Sequence, residues 1–239
     1  MPCPRWYDGR MKMYQQVSRA VFLERRSRFT ALVEQEGRVF EAHINNTGRL
    51  KELLLPGARV VLSGAARPAR QTAHDLVAVY RGEELVNVDS LAPNRAALPW
   101  LAEQYPGARV RPEARFLDSW LDAHLAMEGL SLYVEVKGCT LVLDGLALFP
   151  DAPTQRGARH LRALAAAVAA GHRALALFVV QTEKARAFAP HSAMDPAFAE
   201  ALARAAEKGV MVRAVSCAVT ETGIRILGRL PVILRGNQV

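Results

Sequence analysis

A chain of 239 residues, 51% of them hydrophobic, can fill one large core or two modest ones, which excludes a wholly disordered protein. Its 31 Lys and Arg against 23 Asp and Glu leave a net charge of +8, so the surface should attract polyanions, with nucleic acid the first partner to weigh. A basic surface that serves solubility alone is the alternative. Cys3, Cys139 and Cys217 are far apart and without a C-x-x-C pair, so they imply neither a disulfide framework nor a zinc site. Residues 1–10 lack the apolar stretch of a signal peptide, and no run approaches the ~18 apolar residues of a membrane span. The expectation is a cytoplasmic protein with no membrane partner and an N-terminal extension over 1–15.

In chain order, short strand patterns are expected at 17–23, 29–33, 39–44, 58–62, 76–80 and 85–88. They are broken by turn chemistry at Glu36-Gly37, Asn45-Asn46-Thr47-Gly48, Pro56-Gly57 and Arg81-Gly82. Short strands at this spacing suggest a small OB-like barrel over 16–90, with a single helix at 49–55. From 91 to 239 the rhythm changes to a helix at 95–104 and strands at 108–116, 120–125 and 130–137. A helix at 156–170, a strand at 174–180, a helix at 196–208 and a strand at 210–218 follow. Leu161, Leu164, Ala165 and Val168 give the first of those two helices an apolar stripe. The order predicts a mixed-sheet α/β domain with antiparallel strands first and a βαβ crossover later.

Three residues carry the chemistry. Glu135 and Lys137 are two apart in a strand and share a face, while Leu132, Val134 and Val136 take the other. Asp122, between Leu121 and Ala123 in a neighbouring strand, is a residue that strand interiors disfavour. If the strands pair, two carboxylates and an ammonium meet, as in a phosphodiesterase that binds Mg2+ or Mn2+, with Asp122 and Glu135 on the ion and Lys137 steadying the water. A solvated sheet face fits the same alternation. Trp120 and Tyr133 on that face argue for a cleft wall. Asp151 or Thr154 can cap the following helix. Arg156, Arg159 and His160 on its first turns form a cluster able to hold a phosphate, or an ordinary surface. In the first half, Arg25, Arg26 and Arg28, interleaved with Phe22 and Phe29, suggest a nucleic-acid groove, to which Arg49 is added. Barrel core and rim solvation are the alternative.

Several segments together resemble one family, the sugar fermentation stimulation protein A (SfsA) family. They are Arg26-Ser-Arg-Phe29, Asn46-Thr-Gly48, Leu55-Pro-Gly57, Asn94-Arg95, Asp122, Tyr133-Val-Glu-Val-Lys137, Phe149-Pro-Asp-Ala152, Thr154-x-Arg-Gly157 and His160-Leu-Arg162. The resemblance implies an N-terminal OB-like β-barrel and a C-terminal PD-(D/E)xK nuclease-like domain. It also implies sequence-nonspecific DNA binding and a role in regulating sugar, notably maltose, metabolism. Its nuclease-like site would be Asp122, Glu135 and Lys137, with Glu113, Asp151, Arg156 and His160 as neighbours. The chain departs from the family's usual residues at Asn45, Phe116-Leu117, Trp120 and Gly138, and an arginine missing at 120 removes one phosphate contact. The functional expectation is a DNA-binding protein with a metal site; the alternative is an active metal-dependent nuclease acting on DNA or RNA.

Overall fold

A computed structural model describes residues 12–64 and 72–234. Of the expected extension over 1–15, residues 1–11 lie outside the described residues. The first sheet is built from β1 (Val17–Ser27), β2 (Thr30–Gln35), β3 (Arg38–His43), β4 (Arg59–Gly64), β5 (His74–Arg81) and β6 (Glu84–Asn87). Its order is β3-β2-β1-β4-β5-β6, and a parallel bridge between His43 and Asp75 joins β3 to β5 and closes a five-stranded OB-like barrel. Phe22, Val33, Ile44, Val60, Leu62, Leu76 and Val79 fill it.

The helix expected at 49–55 is absent, and a single turn stands there, with Leu53 and Leu54 both donating to the Leu50 carbonyl. Leu50, Leu53 and Leu54 have helical spacing, yet Pro56-Gly57 ends the run after one turn. The three leucines still plug the barrel as buried side chains. Each is worth about 1.5–3 kcal/mol of burial.

The second half starts with α1 (Ala92–Gln104), three residues earlier than expected, because Pro93 falls in the first turn where its missing N–H is harmless. Then come β7 (Arg109–Phe116), β8 (Ser119–Met127) and β9 (Leu130–Cys139), an antiparallel meander. The small strands β10 (Val142–Leu143) and β11 (Leu146–Phe149) follow, then α2 (Gln155–Ala169), β12 (Arg173–Val180), β13 (Ala187–Pro190), α3 (Pro196–Glu207), β14 (Met211–Thr220) and β15 (Gly223–Leu230). The main sheet runs β15-β14-β12-β9-β8-β7, with β12 parallel to both β9 and β14 across the α2 and α3 crossovers. One face packs on α1 and the other on α2 and α3. Strands β10, β11 and β13, a separate small sheet, and the antiparallel edge β15 were not expected; the first three, of two to four residues, leave too little alternation to read.

Buried polar bonds tie the barrel to this sheet. Gln181 Nε2 donates to Asn87 Oδ1 at 2.7 Å and to the Asp89 carbonyl at 3.1 Å, and Asn87 donates to the Tyr14 hydroxyl, which donates to Asp89. Gly138 makes room for Gln181: a Cβ there would press into its amide and lie 2.7 Å from Pro93 Cγ.

Candidate metal and nucleic-acid site

Pairing between β8 and β9 stops at Ala123↔Val134, although both strands continue towards Ser119 and Cys139. Beyond that point the Asp122 carboxylate replaces the ladder: Oδ2 accepts the Val136 N–H at 2.7 Å, while Oδ1 accepts from Asn94 Nδ2 at 2.9 Å. On the other side, β7 pairs with β8 on both sides of Glu113 but not at it. Glu113 has φ +52°, a left-handed conformation strained for a residue with a Cβ. The sheet therefore opens around Asp122.

Glu135 lies on the same face and is 2% exposed. Its Oε1 accepts from Lys137 Nζ and from His160 Nδ1. Arg156 Nε donates to His160 Nε2 at 3.5 Å, an arrangement in which Nδ1 carries the proton given to Glu135. Glu135 Oε2 is buried without any partner, a costly state for a carboxylate oxygen. Burial alone would push the Glu135 pKa up, but the His160 hydrogen bond and the Lys137 charge outweigh it and hold it below the ordinary value. Asp122 is raised, by burial first and then by the Glu135 charge. Adjacent carboxylates pushed in opposite directions are a recurring mark of functional sites.

Among the described residues no cluster of three or more His, Cys, Asp or Glu side chains forms a closed metal cage. Two carboxylates, one with an orphaned oxygen, suit a hard ion that keeps its waters and takes further oxygens from a phosphate. Mg2+ or Mn2+ fits that donor set. The Cys139 thiol is no competing nucleophile, since burial pushes its pKa up to about 12.

The other expected site residues fall in three places. Thr154, not Asp151, caps α2, its Oγ1 accepting from the Gly157 N–H at 3.0 Å. Asp151 instead accepts the Arg49 N–H at 3.0 Å across to the barrel, and any Cβ at Gly48 would stand 2.5 Å from its Oδ2. Arg156 and Arg159 are exposed on the first turns of α2, whose His160 reaches the site. Arg25 is anchored inside the barrel corner, donating to the carbonyls of Arg28, Asn46, Gly48 and Arg49. Arg26 is exposed and pairs with Glu24, and exposed Arg28 stacks on Phe29 with its Cζ 5.7 Å from the ring centre. Phe22 is core and Phe29 is exposed, so the two aromatics of that groove have opposite roles. Sequence reading passed over Asn94 as a partner of Asp122 and the arginines of β7. Arg111 pairs with His124 on the side of Tyr133, and Arg115 pairs with Trp120 on the opposite side, because the strands change facing at Glu113 and Asp122. The alternation of these arginines with Val110 and Ala114 was the available signal.

An OB-like barrel braced against a mixed-sheet α/β domain, with a carboxylate pair at a gap in the sheet, defines the class. Residues 23–88 match the SfsA N-terminal OB domain and residues 91–223 the sugar fermentation stimulation protein RE domain. The chain belongs to the SfsA family. It is 41% identical over 213 residues to a sugar fermentation stimulation protein homolog of Desulfitobacterium hafniense, covering 88% of this chain and 93% of the relative. A homolog from Clostridium acetobutylicum is 39% identical over 230 residues, covering 94% of this chain and 100% of the relative. The solved structure of Pyrococcus furiosus SfsA in complex with Ca2+ aligns with TM-score 0.85 and 29% identity, over 93% of this chain and 99% of that one.

Proposed function

We propose that this protein binds DNA without sequence preference and hydrolyses its phosphodiester bonds at the Asp122–Glu135–Lys137 site with Mg2+ or Mn2+. The observation that carries the reading is the unpartnered, buried Glu135 Oε2 at the gap in the sheet, on the face that also bears Asp122 and Lys137. Asp122 and Glu135 would hold the ion, which supplies Lewis acidity to the phosphate and a more acidic water. Asn94 and the Val136 N–H fix the Asp122 carboxylate, and His160 fixes Glu135. Lys137, with 21% of its side chain exposed, stands at the mouth of the site, where its ammonium can hold the attacking water or a phosphate oxygen. The net charge of +8 supplies non-specific attraction to the backbone. The Ca2+ named with the Pyrococcus furiosus protein is a hard cation of the kind such oxygens prefer.

A cytoplasmic protein that meets DNA or RNA is the setting this chemistry suits. Incubating wild type with linear, nicked and single-stranded DNA, and with RNA, in Mn2+ tests it. Cleavage that disappears in Lys137→Ala and Glu135→Gln is expected; identical traces for all three proteins would refute hydrolysis. A second reading, DNA grip with regulation of sugar metabolism as its outcome, draws on the near-complete burial of Glu135. It expects binding that survives Glu135→Gln and no cleavage by the wild type.

A further inference from the structure

The end of the sheet that bears Asp122 carries more than the carboxylates. Trp120, two residues before Asp122, is 61% exposed and points away from the side on which Leu121 packs. Leaving so large an aromatic in water forgoes the burial that a core would give it. The hairpin end explains why it stays out. Phe116 turns inward, its ring 4.9 Å from that of Tyr133, and the tip residue Leu117 is exposed beside it. Strand β7 is the free edge of the sheet, and Arg109, Arg111 and Arg115 are all exposed on it. Arg115 pairs with Trp120 and shares its side of the sheet, opposite Phe116 and Leu121, whereas Arg111, which pairs with His124, and Arg109 lie on the side of Tyr133. Guanidinium groups therefore flank the free edge on both sides, and one of them stands beside an open indole.

The barrel repeats the combination. Phe29, 43% exposed, stacks on His43 with ring centres 6.1 Å apart and carries Arg28 at its other contact. That corner is linked to the site by hydrogen bonds: Arg25 holds the Arg28 and Arg49 carbonyls, and the Arg49 N–H donates to Asp151, which precedes α2.

We infer that the substrate of this site is single-stranded DNA, with an unpaired base stacked on Trp120 and the backbone held by Arg115 beside it as it crosses the free edge towards Arg111 and Arg109. The inference rests on the DNA-binding reading above. A base stacks on an exposed indole only when its own face is free, and duplex bases have none to offer; a cationic track beside aromatic platforms is how sequence-tolerant single-strand binding is built. Phe29 and His43 provide a second stacking position along the same strand.

The test is the affinity of the full-length protein for a labelled single-stranded oligonucleotide and for its duplex, at one salt concentration and without divalent ion so that the strand stays intact. Wild type is expected to prefer the single strand. Trp120→Ala should weaken single-strand binding by about tenfold, leaving duplex affinity and Tm unchanged, and Trp120→Phe should restore most of it. Equal loss for strand and duplex, no loss for either, or a wild type that prefers duplex would overturn the inference while leaving DNA binding standing. A wild type that binds neither would instead remove the reading on which it rests.

Discussion

The pKa values of Glu135 and Asp122 are shifted in opposite directions, so the two carboxylates contribute to stability with opposite dependence on pH. Glu135, held below its ordinary value of 4.5, stabilises the fold above about pH 4.5 and loses that contribution as pH falls through its lower folded value. Asp122 is raised above 3.8, so its contribution is complete below about pH 3.8 and is lost as pH rises through the folded value. Ionised Asp122 beside Glu135 is therefore a cost at neutral pH, which a cation held there would offset. Mn2+ is expected to raise Tm of the wild type by an increment that grows from acid to neutral pH, and to do little for Glu135→Gln. Thermal unfolding with and without the ion across that range measures this, and a flat increment would count against the assignment. The arginines separate just as cleanly. Arg25→Ala removes four bonds to carbonyls and should lower stability by about 1–3 kcal/mol. Arg28→Ala, at an exposed position, should leave Tm within the range of ordinary surface changes and weaken DNA binding. Sequence alone does not distinguish a guanidinium that braces a loop from one that meets phosphate, because both stand in the same Arg-rich run.

At the scale of elements, α2 matters because it delivers His160 to Glu135, and its N-terminus is held twice. Thr154 Oγ1 caps it, and Asp195 accepts the Thr154 N–H at 2.8 Å while its other oxygen caps α3 through the Phe198 N–H at 2.9 Å. Thr154→Ala is expected to cost about 1 kcal/mol. Asp195→Ala should cost more, since it frees both helix starts at a buried position; chemical denaturation ranks the two, and the reverse order would contradict the shared role. Strands β8 and β9 were legible from their apolar alternation, against which Asp122 stands out because strand interiors disfavour it. The break in their pairing was not, since it depends on where the Asp122 carboxylate takes the Val136 N–H. The helix expected at 49–55 from the barrel type shortens to one turn after Leu50, because Pro56-Gly57 stops it and the one turn already buries Leu50, Leu53 and Leu54.

Across the whole molecule, barrel and sheet are joined by buried polar contacts around Asn87, Asp89 and Gln181, which fix the barrel against the sheet that bears the carboxylates. Chain-wide rhythm made both halves readable, whereas their docking rests on single residues such as Gly48 and Gly138, where a Cβ would collide with the partner. If the arginines of β7 lie along a nucleic-acid backbone, affinity should fall steeply with salt. Replacing Arg111 or Arg115 with Ala should reduce the slope of log affinity against log salt by about one each. An unchanged slope would place the strand elsewhere. The central claim, that the gap in the sheet is a divalent-ion site, meets its most direct test in a crystal of the protein soaked in Mn2+ and measured for anomalous scattering. A single peak within coordinating distance of Glu135 Oε2 and the Asp122 carboxylate is the expected result; a soaked crystal with no peak there, while the protein still cleaves DNA in Mn2+, would contradict it.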